Sequence, residues 1–417
     1  MRLLIFSQYF WPETFGINHL ARMLADKGQK VTALTGKPNY PEGQLFDGYA
    51  MLGVHREGYG GVEVVRLPLI PRGSRSSLRL ALNYLSFIIS GYMLAPFVLR
   101  GRQFDVVFVY APSPLLQALP AIFLAWLKGA PLVVWVQDLW PESLTATGFV
   151  RNRYVLRAID ATVRYIYRHS DSILVQSEAF RAPVSKMTED AGKIHYFPNS
   201  ADAIVEPSSL VEAQNVSGEL ISAIRNSFSV VFTGNIGSAQ SIETVVEAAA
   251  RLKGHSDIRF FIVGSGSRGD WLAAEIQRRK LDNIMLIGRL PAEAMPTIFS
   301  AASVLLATLR DEPIFAYTIP SKVQAYLAAG RPIIACMNGE GARVVAEAGA
   351  GTACGAGNSA ALADAVLHMQ ALKPQERAQL GESGRRYYFE HYEPRKLTEQ
   401  LIRHFELLLV EHGEGAG

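Results

Sequence analysis

Apolar runs of strand length recur along this chain with helix-length stretches between them, and the series stops and restarts near the middle. The first half holds Arg2–Tyr9, Lys30–Thr35, Val62–Pro68, Asp105–Ala111, Pro131–Asp138 and Ser172–Ser177. The second holds Ser229–Thr233, Ile258–Gly264, Ile284–Arg289, Val304–Leu309 and Pro332–Met337. These runs are continuously apolar rather than alternating, as parallel strands covered on both faces must be. Parallel neighbours need crossover helices, so the pattern predicts an α/β chain of two Rossmann-like, doubly wound domains. Ligands of such domains lie at the carboxyl ends of the strands, and the two halves are expected to face each other across a cleft. Phe197-Pro198-Asn199-Ser200 and the polar stretch Glu206–Gly218 read as the linker. The expected domains are therefore 1–200 and 201–385, followed by helices over 386–417 that Pro394 breaks in two.

Composition agrees with this division. A chain of 417 residues exceeds one ordinary core, and 49% hydrophobic residues are enough to fill two. A net charge of +3 is too small for a nucleic-acid partner, which needs a concentrated basic face. The two cysteines, Cys336 and Cys354, give no disulfide framework and point to a reducing cytoplasm. Met1–Phe6 reads as a first strand rather than a signal peptide.

One segment strains the pattern. Leu80 to Leu99 carries no charge and is flanked by Arg72, Arg75, Arg79, Arg100 and Arg102. It meets the length criterion for a membrane span, yet Asn83, Ser86 and Ser90 share one helical face, and Gly91 and Pro96 interrupt the run. Three readings stay open: a buried crossover helix, a helix lying in the membrane interface with its arginines at headgroup level, and a true span.

Two turns carry the strongest chemical signal. Gly234-Asn235-Ile236-Gly237 follows a strand and opens the expected helix Ile242–Arg251, with Ser238 and Ser241 as candidate caps. Pro320-Ser321-Lys322 opens the helix Val323–Ala329, with Ser321 as candidate cap, and Gly330-Arg331-Pro332 closes it. Helix N-termini present N–H groups and positive potential to an anion, so the pair predicts a nucleotide diphosphate held between helix ends. Each turn alone also fits an ordinary strand-to-helix connection with a solvated lysine. Gly264-Ser265-Gly266-Ser267-Arg268-Gly269 matches G-x-G-x-x-G but follows the second strand of its half, and the next strand ends at Arg289 instead of an acid. A nicotinamide site here is the weaker alternative.

In the first half, the loops Gln8–Gly16 and Val136–Ser143 leave strand ends with aromatics and the carboxylates Glu13 and Asp138, as a sugar-binding wall would. Asp138 also suits a helix cap. His19, His55, His169 and His195 lack metal-ligand spacing, D-x-D does not occur, and G-x-S-x-G is absent, so neither a metal cofactor nor a serine hydrolase is expected.

Taken together, these blocks resemble a GT-B glycosyltransferase of family 4, and within it the WbuB-like group associated with N-acetyl-L-fucosamine transfer in O-antigen assembly. The likeness rests on Tyr9–Gly16, Gln137–Ser143, Phe197-Pro198-Asn199, Phe232–Gly237, Gly288-Arg289-Leu290-Pro291 and, most specifically, Pro320–Pro332. It implies that the second domain binds a UDP-sugar through Gly234, Asn235, Gly237, Ser265, Arg268, Arg289, Ser321 and Lys322. The first domain would take an undecaprenyl-diphosphate-linked saccharide near Gly16, Asn18 and His19, at the inner membrane surface through Arg72–Arg102. The resemblance further implies a mostly retaining, metal-independent reaction, with Asp138 or Glu13 as general base if this member inverts. The chain departs from the family where many members have Arg and Lys: Asn235 and Gln240 stand there. Tyr317 and Ala325 replace a common Glu pair. Lys322 and Arg268 are the candidate substitutes for the cationic clamp. A sugar-nucleotide epimerase on the same fold, an NAD(P) oxidoreductase and a membrane scaffold are the rival readings.

Overall fold

The computed structural model describes residues 1–73, 76–146, 150, 152–200 and 216–415, so Arg75 and most of Glu206–Gly218 lie outside the described residues. The chain divides into two compact units, Met1–Pro198 with Pro394–Gly417, and Asn199–Glu393.

The first unit runs β1 (Arg2–Phe6), α1 (Gly16–Asp26), β2 (Lys30–Gly36), β3 (His55–Tyr59), β4 (Val62–Leu67), α2 (Ser77–Val98), β5 (Val106–Ala111) and α3 (Ala118–Lys128). It continues through β6 (Leu132–Val136), α4 (Glu142–Ala146), α5 (Arg153–Arg168), β7 (Ser172–Val175), α6 (Arg181–Ser185) and β8 (Ile194–Tyr196). The eight strands lie in the order β3-β4-β2-β1-β5-β6-β7-β8. All neighbours are parallel except β3, which pairs antiparallel with β4. Order reverses between β1 and β5, which makes the ends of those strands the crevice of this sheet.

Two of these strands were not expected. β3 is a half-exposed edge strand whose Arg56, Glu57 and Gly58 break any apolar run, and β8 is only Ile194-His195-Tyr196. Asp138 consequently follows the sixth strand, not the fifth. α2 does not break at Gly91 or Pro96. Gly91 is where the helix comes closest to its neighbour: a Cβ there would sit 2.8 Å from Pro120 of α3.

The second unit runs α7 (Gly218–Arg225), β9 (Phe228–Thr233), α8 (Ile242–Arg251), β10 (Ile258–Val263), α9 (Gly269–Arg279), β11 (Ile284–Gly288), α10 (Met295–Ala301) and β12 (Val304–Thr308). After these come α11 (Pro313–Ala316), α12 (Ser321–Ala328), β13 (Ile333–Cys336), α13 (Glu340–Glu347), β14 (Gly351–Cys354), α14 (Ser359–Ala371) and α15 (Pro374–His391). Its strands are all parallel, in the order β11-β10-β9-β12-β13-β14, with the reversal between β9 and β12. Side chains alternate between two cores, Val231, Phe261 and Val263 on one face and Val230, Phe232 and Ile262 on the other. That double burial is why these strands read as unbroken apolar runs. β14 escaped detection because Gly-Thr-Ala-Cys is small and half-exposed.

Helix α15 extends past 385 to His391. α16 (Pro394–Gly415) then joins the first unit, setting Leu397, Leu401 and Phe405 into the core that holds Leu3, Ile5 and Phe108.

Candidate functional site

The second unit brings its two signal turns together at the crevice between β9 and β12. β9 ends in Gly234, whose φ of +119 only glycine adopts readily, and the loop returns through Gln240. Arg310, just past β12, donates its N–H to the Ala239 carbonyl at 2.9 Å. α12 starts beside this loop: the Tyr326 hydroxyl accepts the Thr233 N–H at 3.1 Å, locking the helix to the end of β9. Lys322, in the first turn of α12, therefore projects into the Gly234–Gln240 loop. Its ammonium donates to Gln240 Oε1 at 2.5 Å, sits 4.1 Å over the Phe232 ring, and would lie 3.8 Å from a Cβ on Gly234. Among the described residues it has no carboxylate partner, and burial lowers its pKa to about 7.

A cation held against an aromatic face and an amide oxygen, at an uncapped helix start, is an anion site in waiting. Gln240 tethers this ammonium of α12 to the loop. Ser321 is not the cap. Pro320 occupies that position; its carbonyl takes the Val323 N–H at 2.9 Å, and among the described residues no side chain bonds the Ser321 and Lys322 amides, which leaves those two to an outside acceptor. Ser241 and Ser238 do not cap α8 either; Ser241, at φ +46, exchanges its hydroxyl bond with Thr244 at 2.8 Å.

The remaining donor-side residues divide. Gly237 and Asn235 form the tight part of the loop, since a Cβ on Gly237 would meet the Asn235 amide at 2.7 Å. Ser265 is exposed, and its carbonyl accepts the Ile236 N–H at 2.9 Å. Arg289 is exposed at the end of the edge strand β11. Arg268 is already engaged: it pairs with Glu243 and lies 4.3 Å over Trp271, so it is a poor substitute for the diphosphate clamp. The glycines of the G-x-G-x-x-G match have a packing cause. A Cβ on Gly264 would fall 1.8 Å from the Gly234 carbonyl, and one on Gly266 2.5 Å from the Ile236 carbonyl. These two glycines let the second turn press against the first, which removes the dinucleotide argument.

In the first unit, the loops after β1, β2, β5 and β6 meet around Tyr9. Tyr9, Phe15 and Tyr40 pack with ring centres 5.1 to 5.7 Å apart. The Arg72 guanidinium covers Tyr40 at 4.9 Å, and the Tyr84 hydroxyl bonds Tyr9 and Ser113. Burial holds both phenols in the neutral form. Asp138 borders this group, half-buried beside Ser143 and Trp140, and burial raises its carboxyl to about 6. A carboxyl poised near neutrality at a strand end is suited to proton transfer.

Glu13 is different. It is 1% exposed and accepts the N–H groups of Asn39 and Tyr40, both at 2.8 Å, so it ties two loops together. Burial raises it to about 7, but no face of it is open to a substrate hydroxyl. Asn18 is likewise spent on the loop, bonding the Trp11 N–H and the Glu13 carbonyl; Gly16 and His19 are partly exposed. The expected aromatic wall shrinks, because Tyr9, Phe10 and Trp140 are core residues. Tyr84 is missed by sequence reading, and Arg72 is read there only as an arginine flanking the apolar segment. They lie on and before α2, and nothing local marks them as neighbours of Tyr9. Among the described residues, no three His, Cys, Asp or Glu side chains gather as a metal site.

Comparison with known proteins adds an independent line. Residues 15–200 match the model of the glycosyl transferase 4-like domain, and residues 227–371 that of glycosyl transferases group 1. WcaI of Escherichia coli K12, described as a putative colanic acid biosynthesis glycosyl transferase, is 26% identical over 79% of this chain and 82% of its own. WbjE of Pseudomonas aeruginosa, a probable glycosyltransferase, is 26% identical over 63% of this chain and 66% of its own. Among solved structures, Anabaena HepE, crystallised with UDP, superposes with a TM-score of 0.69 at 14% identity, covering 97% of this chain and 100% of HepE.

Proposed function

Because the chain belongs to the glycosyltransferases of the 4-like type and has their GT-B fold, we propose that it moves a sugar from a UDP-sugar to a lipid-linked saccharide in bacterial surface-polysaccharide synthesis. The observation that carries the donor assignment is Lys322, a cation without a carboxylate partner, set between Phe232 and Gln240 at an uncapped helix start. Breaking the sugar–phosphate bond leaves charge on the diphosphate. Lys322, protonated once the diphosphate is seated, and the Ser321 and Lys322 amides of α12 supply opposite charge there, electrostatics of the kind that lowers such barriers most. This assigns charge neutralisation to protein groups, and activity is expected to survive chelation of divalent metals.

On the first unit, Asp138 accepts a hydrogen bond from the acceptor hydroxyl and orients it, while Arg72 and Tyr84 hold the saccharide or its phosphate. The finer reading follows the WbuB-like pattern: an N-acetylated amino sugar such as N-acetylfucosamine, transferred with retention onto an undecaprenyl-diphosphate-linked acceptor. The protein would work on the cytoplasmic side, peripheral to the inner membrane. Support for the pathway comes from WcaI and WbjE, and for UDP from HepE.

The test is thermal-shift binding against UDP, GDP, TDP and NADP⁺, for the parent and for Ser321→Ala/Lys322→Ala. Stabilisation by UDP that the double variant loses is the expected result. Equal UDP binding by both would overturn the site, and stabilisation by NADP⁺ alone would overturn the function.

A further inference from the structure

Helix α2 is turned the opposite way from an ordinary surface helix. The polar side chains of its middle turns point inward. Asn83 is fully buried, donating to the Ile70 carbonyl at 2.7 Å and accepting from the Gln8 amide at 2.6 Å. Ser86 accepts the Ile70 N–H at 2.9 Å, and Ser90 donates to the Pro68 carbonyl at 2.7 Å. Its large apolar side chains point outward: Leu85, Ile89 and Met93 are more than half exposed and Phe97 is 75% exposed. The polar groups on its face therefore serve to fasten the helix to the loop after β4, and they also argue against a span, since crossing a membrane would strip those bonds.

The outward ridge continues beyond α2. Tyr92 lies 5.9 Å from Phe123 of α3, which stacks 6.0 Å from Trp126, and Trp126 is 76% exposed. On the other side Tyr92 interacts with Tyr165 of α5. There Arg164, bonded to Asp160 and the Lys186 carbonyl, and Arg168, paired with Glu189, line an open pocket of about 640 Å³ whose arginines are already engaged. Neither α2 nor α3 contains an acidic residue, and Arg79 and Arg100 stand exposed at the two ends of α2. Arg102, by contrast, is paired with Glu63, and Arg72 turns toward Tyr40, so the sequence overcounted the arginines available here.

We infer that α2 and α3 form one docking surface for an anionic phospholipid bilayer: the α2–Trp126 ridge enters the interface, and Arg79 and Arg100 at the two ends of α2 meet the lipid phosphates. Charge decides the partner. An acid-free apolar ridge edged by arginines complements an anionic leaflet, where aromatic residues also favour the headgroup level. The inference rests on the lipid-linked acceptor proposed above.

The test uses the full chain with phosphatidylglycerol/phosphatidylcholine vesicles, some brominated along the acyl chain. Bromolipid quenching of tryptophan fluorescence should occur in the parent and be mostly lost in Trp126→Phe. Leu85→Ser/Met93→Ser/Phe97→Ser should cut vesicle partitioning more than tenfold. Arg79→Glu/Arg100→Glu should weaken binding to anionic vesicles only, and reduce its sensitivity to salt. Equal quenching in parent and Trp126→Phe would overturn the inference. So would unaltered partitioning of the triple variant, or a solution dimer that the same triple variant dissociates. UDP binding without lipid should be the same in every one of these variants. Loss of UDP binding by Lys322→Ala with vesicle binding intact marks the donor site as separate, and vesicle binding without any UDP binding by the parent would sink the transferase reading alone.

Discussion

At pH 8, binding of UDP to this protein should take up close to one proton. The Lys322 amine titrates at about 7 because burial opposes its charge, so about nine in ten molecules carry it neutral at that pH. A phosphate oxygen placed about 4 Å away attracts the ammonium by about 4 kcal/mol at an effective dielectric of about 20, which lifts its titration to about 10. Bound protein then holds a proton that free protein mostly lacks. By linkage, affinity should fall about eightfold, roughly 1.2 kcal/mol, from pH 7.5 to 8.5. UDP itself loses its last proton near pH 6 and contributes little in this window. Calorimetry in buffers of different ionisation enthalpy reads the uptake directly. Lys322→Met should bring the uptake near zero and flatten the pH dependence. An uptake below about 0.2 proton in the parent, or the same uptake in Lys322→Met, would refute the placement of a diphosphate at Lys322.

Three other outcomes follow from the geometry. Asp138→Asn should abolish most transfer yet stabilise the fold at pH 8 by about 1–2 kcal/mol. The reason is that the half-buried carboxyl titrates near 6 when folded but near 3.8 when unfolded, so the charged form costs stability as pH rises through that window; urea midpoints at pH 8 and pH 4 report it. His404 behaves in the opposite sense. Burial and its neighbour His195 lower it to about 4, so the unfolded chain binds more protons below pH 6.5, and stability should drop by about 1–2 kcal/mol, after discounting for solvent screening, between pH 7 and 4.5, a loss that His404→Gln removes from the urea curves. Gly264→Ala, whose Cβ would strike the Gly234 carbonyl, should cost more than about 3 kcal/mol, whereas Gly269→Ala, with open space around it, should cost under about 1 kcal/mol. Comparable melting temperatures for the two variants would contradict the packing account of these glycines.

Much of this molecule is determined by short-range pattern. The parallel strands announce themselves as continuous apolar runs because both faces are buried, and Ile242–Arg251 forms over the expected residues. The Pro320–Pro332 block marks a helix and its stop without any tertiary knowledge, since Pro320 before the helix and Gly330-Arg331-Pro332 after it are both local signals, although the expected Ser321 cap is not made. β3, β8 and β14 escaped notice for the same reason: an edge or very short strand has no double burial to impose a pattern.

Which residues meet is decided only by the fold. Lys322 and Gln240 are 82 residues apart and touch because Tyr326 fastens α12 to β9. Glu13 and Asp138 look equivalent as carboxylates after strands. Yet three backbone N–H groups converge on Glu13, while Asp138 keeps an open side. Asn83, Ser86 and Ser90 share a face in any helix, and the pattern alone does not say which way that face turns. Packing turns it inward onto Ile70 and Pro68, and so sends Leu85, Met93 and Phe97 out. Periodicity fixes which residues share a face; only the hydrogen-bond partners waiting on the neighbouring element decide which way that face turns.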